Sequence, residues 1–568
     1  MASATSLRSR RSAAQLHALV GVEREIRAYD QHARRKYLRD FSEAFRSYET
    51  VLEPKQLRAS IREADLLLIG DYHALPASQA FAASVVKERA NFHDRPIVLG
   101  VETVFSRDQH ILDEWSRGEI EVEELRERIR FDLDWGYDWA PFLKLVETAR
   151  ERAIPIYGLD CMPREDLRKI GARDRHAAHK IAELRQRYPD GVIVVLFGES
   201  HLAPPHLPQL LRELLPNERL LTVLQNVDAL YWRAAGELDH VDAVRVTDDV
   251  VCVFNSTPLE KYENYRLCLD RWSREAGSPD LGPTIYNLID SLLRFLNINL
   301  YSSHNGTQPK FLVDLMPEVY TRSSDSLLRR LLSRKGLGDD EKKFMLQKIE
   351  ERGSAYFPRV NAFYTWEFQI VYAAEEASRF LYHACRGLPL RANGHGGGAD
   401  EANQFTAEDR FYSRVIEDAL AYFGSRVLCP ARPALREADL QECYEQTRED
   451  LEQQTSFPFG DFVGMIDFLV LHREFELGSE CCSNTPPLIQ QGIETKGVSF
   501  EYLTQELGYM LGTDLYDAYL EGRVSRSAVR QLFLAHLREL GSARQMYFTL
   551  AYQLRTGKKK PQAVKETK

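Results

Sequence analysis

The chain predicts an α/β domain, a mainly parallel sheet flanked by helices, followed by a mainly α-helical C-terminal domain. Three observations predict it. Four short apolar runs rich in Val, Ile and Leu end in a Gly with an acid one or two residues on. Segments of helical periodicity separate these runs. After about residue 265 helical periodicity takes over almost completely. Unbroken apolar runs of this length read as strands buried on both faces. Strands alternating with helices imply right-handed crossovers and a parallel sheet.

The first run, Leu66-Leu67-Leu68-Ile69, ends in Gly70-Asp71-Tyr72-His73. Residues 76–90 then read as a helix opening on Pro76. Pro96-Ile97-Val98-Leu99-Gly100-Val101 runs into Glu102. Residues 138–153 read as a helix, and Ile154-Pro155-Ile156-Tyr157-Gly158-Leu159 leads into Asp160. A longer amphipathic stretch covers 163–188. Val192-Ile193-Val194-Val195-Leu196-Phe197 ends in Gly198-Glu199-Ser200-His201, repeating the Gly-acid-x-His close of the first run. A helix near 205–215, a strand from Leu220 to Leu224 and another over 250–254 complete the pattern.

Side chains just beyond the carboxyl ends of parallel strands face the crevice where such sheets bind ligands. Asp71, His73, Glu102, Asp160, Glu199 and His201 are the polar groups placed there. An acid at a strand end also caps a following helix, and a single His is commonly structural. Two acid–His pairs at one sheet edge are what point to a site. Two imidazoles with carboxylates suit Zn, Mn, Fe or Co, and ligand type alone does not choose among them. His73, Glu102 and His201 are the expected metal ligands, leaving an open position for a bound water. Asp71 and Glu199 are the expected catalytic groups, orienting that water or taking its proton.

These residues resemble the haem-binding uptake proteins of the ChaN type, in a superfamily with the Tiki proteases, TraB proteins and erythromycin esterases. The resemblance rests on Gly70-Asp71-Tyr72-His73, and on Val101-Glu102 with Gln109 and Leu112-Asp113. It continues through the Tyr137-to-Arg150 helix leading into Ile154-Pro155, and Arg173-Asp174-Arg175, to Gly198-Glu199-Ser200-His201-Leu202. It covers roughly residues 60–235. It carries family site residues over at Asp71, His73, Glu102 and His201. The family usually has Glu where Asp71 stands. Its members are typically lipoproteins, whereas this sequence shows neither signal peptide nor lipobox cysteine. The resemblance implies a small-molecule, haem or peptide ligand. A haem ligand in the family is a tyrosine, which no motif here assigns. The Tiki branch implies a metal-dependent hydrolase, and the esterase branch implies an imidazole that activates water without metal. Fold alone does not decide between them.

The chain has 568 residues, which predicts more than one domain. The expected division is an N-terminal tail and amphipathic helix over 1–54, an α/β domain over 55–265, a helical domain over 280–555 and a basic disordered tail over 556–568. Residues 22–48 are expected to hold the amphipathic helix. The net charge of −10 argues against nucleic acid as a partner. No apolar stretch approaches the roughly 18–20 residues of a membrane span. The N-terminus is basic without an apolar signal core, and eight cysteines show no C-x-x-C pair. Free thiols in a reducing, cytoplasmic compartment are expected. A homodimer is kept as one assembly.

Helices are expected over 284–297, 324–334, 339–352, 362–386, 407–424, 436–452, 460–475, 499–521 and 525–540. The glycine-rich 391–400 segment follows no strand and lacks a Gly-Lys-Ser/Thr close, so it reads as a surface loop. Glu375 and Arg379 fall four apart and are expected to pair. No Glu-x-x-His appears in this half, which excludes a ferritin-like site. Three functions follow: a ChaN-like binder of haem or a metal ion, a metal-dependent hydrolase of a peptide or ester, or a helical interaction protein with a degenerate site.

Overall fold

The computed structural model describes residues 4–29, 36–92, 95–164, 169–237, 241–273, 280–298, 315–322, 325–334, 346, 348–386, 406–439, 459–477, 485–537 and 539–557. The 391–403 loop, the 558–568 tail, most of the expected helices over 339–352 and 436–452, and Cys443, Cys481 and Cys482 lie outside them. Two compact units form: Leu19–Pro279, and Met1–Ala18 with Asp280–Lys568.

The first unit is built on an eight-stranded sheet. Its strands are β1 (Thr50–Leu52), β2 (Leu66–Asp71), β3 (Ile97–Phe105), β4 (Ile156–Asp160), β5 (Val192–Gly198), β6 (Leu220–Gln225), β7 (Ala243–Thr247) and β8 (Val250–Val253), in the order β1-β7-β8-β6-β2-β5-β3-β4. The six strands from β8 to β4 are parallel; β7 and β1 join antiparallel at one edge. The short β1, and β7 with Arg245 set between its apolar residues, carry no long apolar run, so neither was legible as a strand.

The alternation along β2 shows why the runs are unbroken. Leu67 and Ile69 join one core with Val194, Leu196 and the helices Pro76–Asn91 and Trp139–Arg150. Leu66 and Leu68 join another with Ile193, Val195, Phe197 and the helices Ile170–Arg187 and Leu207–Leu214. Each face of the sheet is covered, so every position is apolar. Pro76 sits in the first turn of its helix, where its missing N–H costs nothing. Asp138 caps the 139–150 helix by accepting from Ala140 N–H at 3.3 Å. Gly158 lets β4 meet the end of β3, since a Cβ there would stand 2.7 Å from Val104 O. The expected amphipathic helix over 22–48 is two helices, Ala4–Tyr29 and Lys36–Ala44.

The second unit is mainly helical. Helices Gly282–Leu296, Ile370–Arg386, Ala407–Leu428, Phe459–Phe475, Val498–Leu520 and Ser542–Thr556 are its largest parts. It also holds a small sheet of β9 (Glu318–Thr321), β10 (Ser354–Phe357) and β11 (Ala362–Thr365), in the order β10-β11-β9. This corrects the expectation of a helix over 362–386. Its first four residues are a strand, and Asn361 turns the chain into it in the left-handed region. Phe363, Tyr364 and Thr365 are strand-favouring residues, fully buried between two neighbours. Glu375 does pair with Arg379, at 3.4 Å. Among the described residues no helix is long and apolar enough to cross a membrane. Cys161, Cys252, Cys268, Cys385 and Cys429 are free thiols.

Candidate functional site

The two Gly-acid-x-His segments close neighbouring strands. β2 pairs with β5 in parallel, with Gly70 opposite Phe197 and Asp71 opposite Gly198. β3 lies on the other side of β5, so Glu102 reaches the same strand end. His73 and His201 then flank Glu102. His73 Nε2 is 3.9 Å from Glu102 Oε2, and His201 Nε2 is 3.9 Å from Oε1. Gly198 makes room for this group: a Cβ there would stand 3.1 Å from Glu102 Oε2, 3.2 Å from His73 Nε2 and 3.3 Å from His201 Cδ2.

Each imidazole is backed by a carboxylate. His73 Nδ1 lies 2.7 Å from Asp71 Oδ2, while Asp71 Oδ1 accepts from Gln79 Nε2 at 2.5 Å. His201 Nδ1 hydrogen-bonds Asp174 Oδ1. Only His73 is open to solvent. Its side chain is 21% exposed, against 4–5% for Asp71, Glu102 and His201. Its ring lies 4.3 Å from that of Trp135 and 5.2 Å from that of Tyr137.

Glu102 is already engaged. Oε1 accepts from Arg173 Nη2 at 2.6 Å and Oε2 from Gly198 N–H at 2.6 Å. Arg173 also clasps Asp160, at 2.8 and 2.9 Å. Arg164 takes the remaining side of Asp160 at 2.8 Å and packs its guanidinium over the rings of Phe105 and Trp135. Asp160 is thus a structural anchor for two arginines, one of which holds Glu102.

The electrostatics follow the geometry. Burial alone would push the Glu102 carboxyl up, but His201, His73, Arg173 and Arg164 around it hold it below the usual carboxylate range. Burial disfavours charge on His73, yet Asp71, through its charge and hydrogen bond, and Glu102 raise its pKa above the ordinary value. Glu199 points elsewhere. Lys261 Nζ, buried, sits 3.0 Å from its Oε1 and 4.5 Å above the ring of Tyr72. Burial raises the Glu199 pKa against the pull of Lys261.

The expected metal site finds no ready coordination shell. His73, Glu102 and His201 do come together, but both Glu102 oxygens are held by hydrogen-bond donors. Among the described residues no group of three His, Cys, Asp or Glu side chains is disposed to hold a metal ion. Asp71 has both oxygens occupied, and Glu199 is ion-paired. The donor that remains is His73 Nε2. A carboxylate on Nδ1 leaves that nitrogen as the lone-pair site of the neutral ring.

Arg164, Arg173, Asp174 and Lys261 were not among the expected site residues. A signal existed for two of them. In the 170–187 helix, Ala177, Ala178, Ile181 and Leu184 form the buried stripe, and Arg173 and Asp174 lie one turn earlier on it. Charged residues on an apolar stripe need partners. Lys261 carries no such mark.

Residues 57–193 match the family model described as haem-binding uptake, Tiki superfamily, ChaN. The matched span runs from before β2 to the start of β5 and includes Asp71, His73, Glu102, Asp160, Arg173 and Asp174. No curated protein matches the chain. A solved structure described as cofacial heme binding to ChaN of Campylobacter jejuni matches at 13% identity, with a TM-score of 0.26 over 31% of this chain and 87% of that one. Over residues 57–193 this chain carries a ChaN-type domain of the Tiki superfamily.

Proposed function

We propose that the α/β unit binds haem at the C-terminal edge of its sheet, with His73 meeting the iron. The observation that carries this is the Asp71-backed imidazole of His73, the one partly open donor of the cluster, set beside Trp135 and Tyr137. The family match supplies the ligand class. Bound haem would supply an iron centre, which the His73 imidazole would hold. Asp71 would orient the ring and raise its basicity. Trp135 and Tyr137 would offer apolar surface, and Arg164 and Arg173 would hold Glu102 and Asp160 in place. Haemin titration followed by absorbance tests this. A saturable, stoichiometric Soret shift is expected for the native chain, lost in His73→Ala and kept in His110→Ala, an exposed residue elsewhere. The absence of a Soret shift in the native chain overturns the proposal.

A second reading rests on the same Asp71–His73 pair. An imidazole held by a carboxylate at 2.7 Å, with Nε2 free, is positioned as a general base for water without metal. In that case the base is His73, since Glu199 is tied to Lys261. Turnover of an ester or peptide panel by metal-free protein, abolished in His73→Gln, supports it. A panel that yields no turnover removes it.

A further inference from the structure

We infer that Tyr37, outside the family-matched span, is a positioning residue of this site, holding Asp174 so that Asp174 fixes His201. The Asp174 carboxylate has two partners on opposite oxygens. Oδ1 takes His201 Nδ1, and Oδ2 accepts from the Tyr37 hydroxyl at 2.8 Å. Asp174 is 1% exposed, so water does not replace a lost partner cheaply. Burial, followed by the neighbouring Asp174 charge, raises the Tyr37 pKa, so the group stays a phenol and a donor.

The ring of Tyr37 is itself held. It stacks on His206 at 3.7 Å and 8° between planes, and meets the His201 ring edge-on at 5.5 Å. His206 Nε2 lies 3.2 Å from Asp40 Oδ2, one turn along the same helix as Tyr37. The Lys36–Ala44 helix thus contributes two side chains that converge on the 199–206 segment and on the 170–187 helix. An imidazole with a single, freely rotating carboxylate partner has an uncertain ring orientation. One whose carboxylate is pinned at both oxygens aims its Nε2 in one direction, here toward Glu102. Residues 36–44 lie before the matched span 57–193.

The test reads His201 directly. In the ligand-free full chain with labelled histidine, the His201 Nδ1–H proton should give a protected downfield resonance, assigned by its loss in Asp174→Asn. Tyr37→Phe keeps the stacked ring and removes the hydroxyl. The exchange rate of that proton is expected to rise about tenfold, the factor that losing one hydrogen bond to a charged group carries. Asp40→Asn, which removes the charge facing His206 and leaves the Tyr37 hydroxyl on Asp174, should leave it unchanged. An unchanged rate in Tyr37→Phe, an equal rise in Asp40→Asn, or no such resonance in the native chain overturns the inference. A second readout rests on the haem reading: Tyr37→Phe should weaken haemin binding several-fold at a temperature where both chains remain fully folded. A native chain that binds no haemin, with the exchange rate still raised in Tyr37→Phe, retires the haem proposal and leaves the positioning role standing.

Discussion

His73 Nδ1 lies 2.7 Å from Oδ2 of Asp71, the last residue of β2, with His73 in the turn that follows. The imidazole is therefore held by its own segment of chain before any ligand arrives. Asp71→Asn keeps the shape and removes the charge. It is expected to weaken haemin binding about tenfold, because a neutral amide neither raises imidazole basicity nor favours the same tautomer. Absorbance titration checks it.

The pH dependence of stability follows from the same pair. The pKa of His73 is raised in the folded chain above its ordinary value. A raised cation-forming group stabilises the fold fully below the unfolded pKa, about 6.5, and loses that contribution as pH rises through the folded value. The melting temperature of His73→Gln should therefore fall further below the native chain at pH 5.5 than at pH 9. A gap that widens toward alkaline pH contradicts the charge assignment.

Arg173 joins Glu102 and Asp160 with the one guanidinium. Arg173→Met leaves a buried carboxylate facing an apolar chain. The cost is expected to be about 3–5 kcal/mol, read by urea unfolding of the full chain. Arg173→Lys should recover only part of it, since a single ammonium does not span both acids in the fork geometry.

Gly198 is the tightest point of the cluster. Its φ is −50°, so alanine there meets no backbone strain, only the Glu102, His73 and His201 atoms 3.1–3.3 Å away. Gly198→Ala is expected to destabilise by about 1–3 kcal/mol and to lower haemin affinity. Gly236→Ala is the control: nothing lies within 4 Å of its Cβ, and alanine is the better helix former. Equal losses in both would show that the effect is not local.

In the helical unit, Gly508 faces the 407–428 helix so closely that a Cβ would stand 2.5 Å from Asp418 Cβ and 2.9 Å from Val415 O. Gly508→Ala should separate the two helices and disturb Asp418, which is 2.8 Å from buried Arg379. A thermal transition lowered for the helical unit, with the haemin titration unchanged, is the expected result.

The parallel sheet was legible because burial on both faces leaves a continuous apolar signal, as in Leu66–Ile69 and Val192–Phe197. So was the meeting of Asp71, His73, Glu102 and His201, because strand ends of one parallel sheet share an edge. What the sequence concealed was neutralisation. Lys261, some sixty residues after Glu199, closes off that acid through tertiary packing alone, and no local pattern announces it. Arg164 reaches Asp160 from a loop, with no periodicity to read. The strand Ala362–Thr365 was hidden for a different reason. It adjoins the 370–386 helix, and its aromatic residues fit either period over so short a run.

The pairing of β2 with β5 sets a rule for how this chain tolerates insertions and deletions. One residue added inside β5 would move Gly198 N–H by about 3.3 Å and turn Phe197 to the other face. Glu102 would lose its backbone donor in the same step. Residues added between elements, as in the 116–122 connection, cost only loop entropy. Relatives and engineered variants of this unit are therefore best aligned on their strand ends, whatever the lengths of the segments between them.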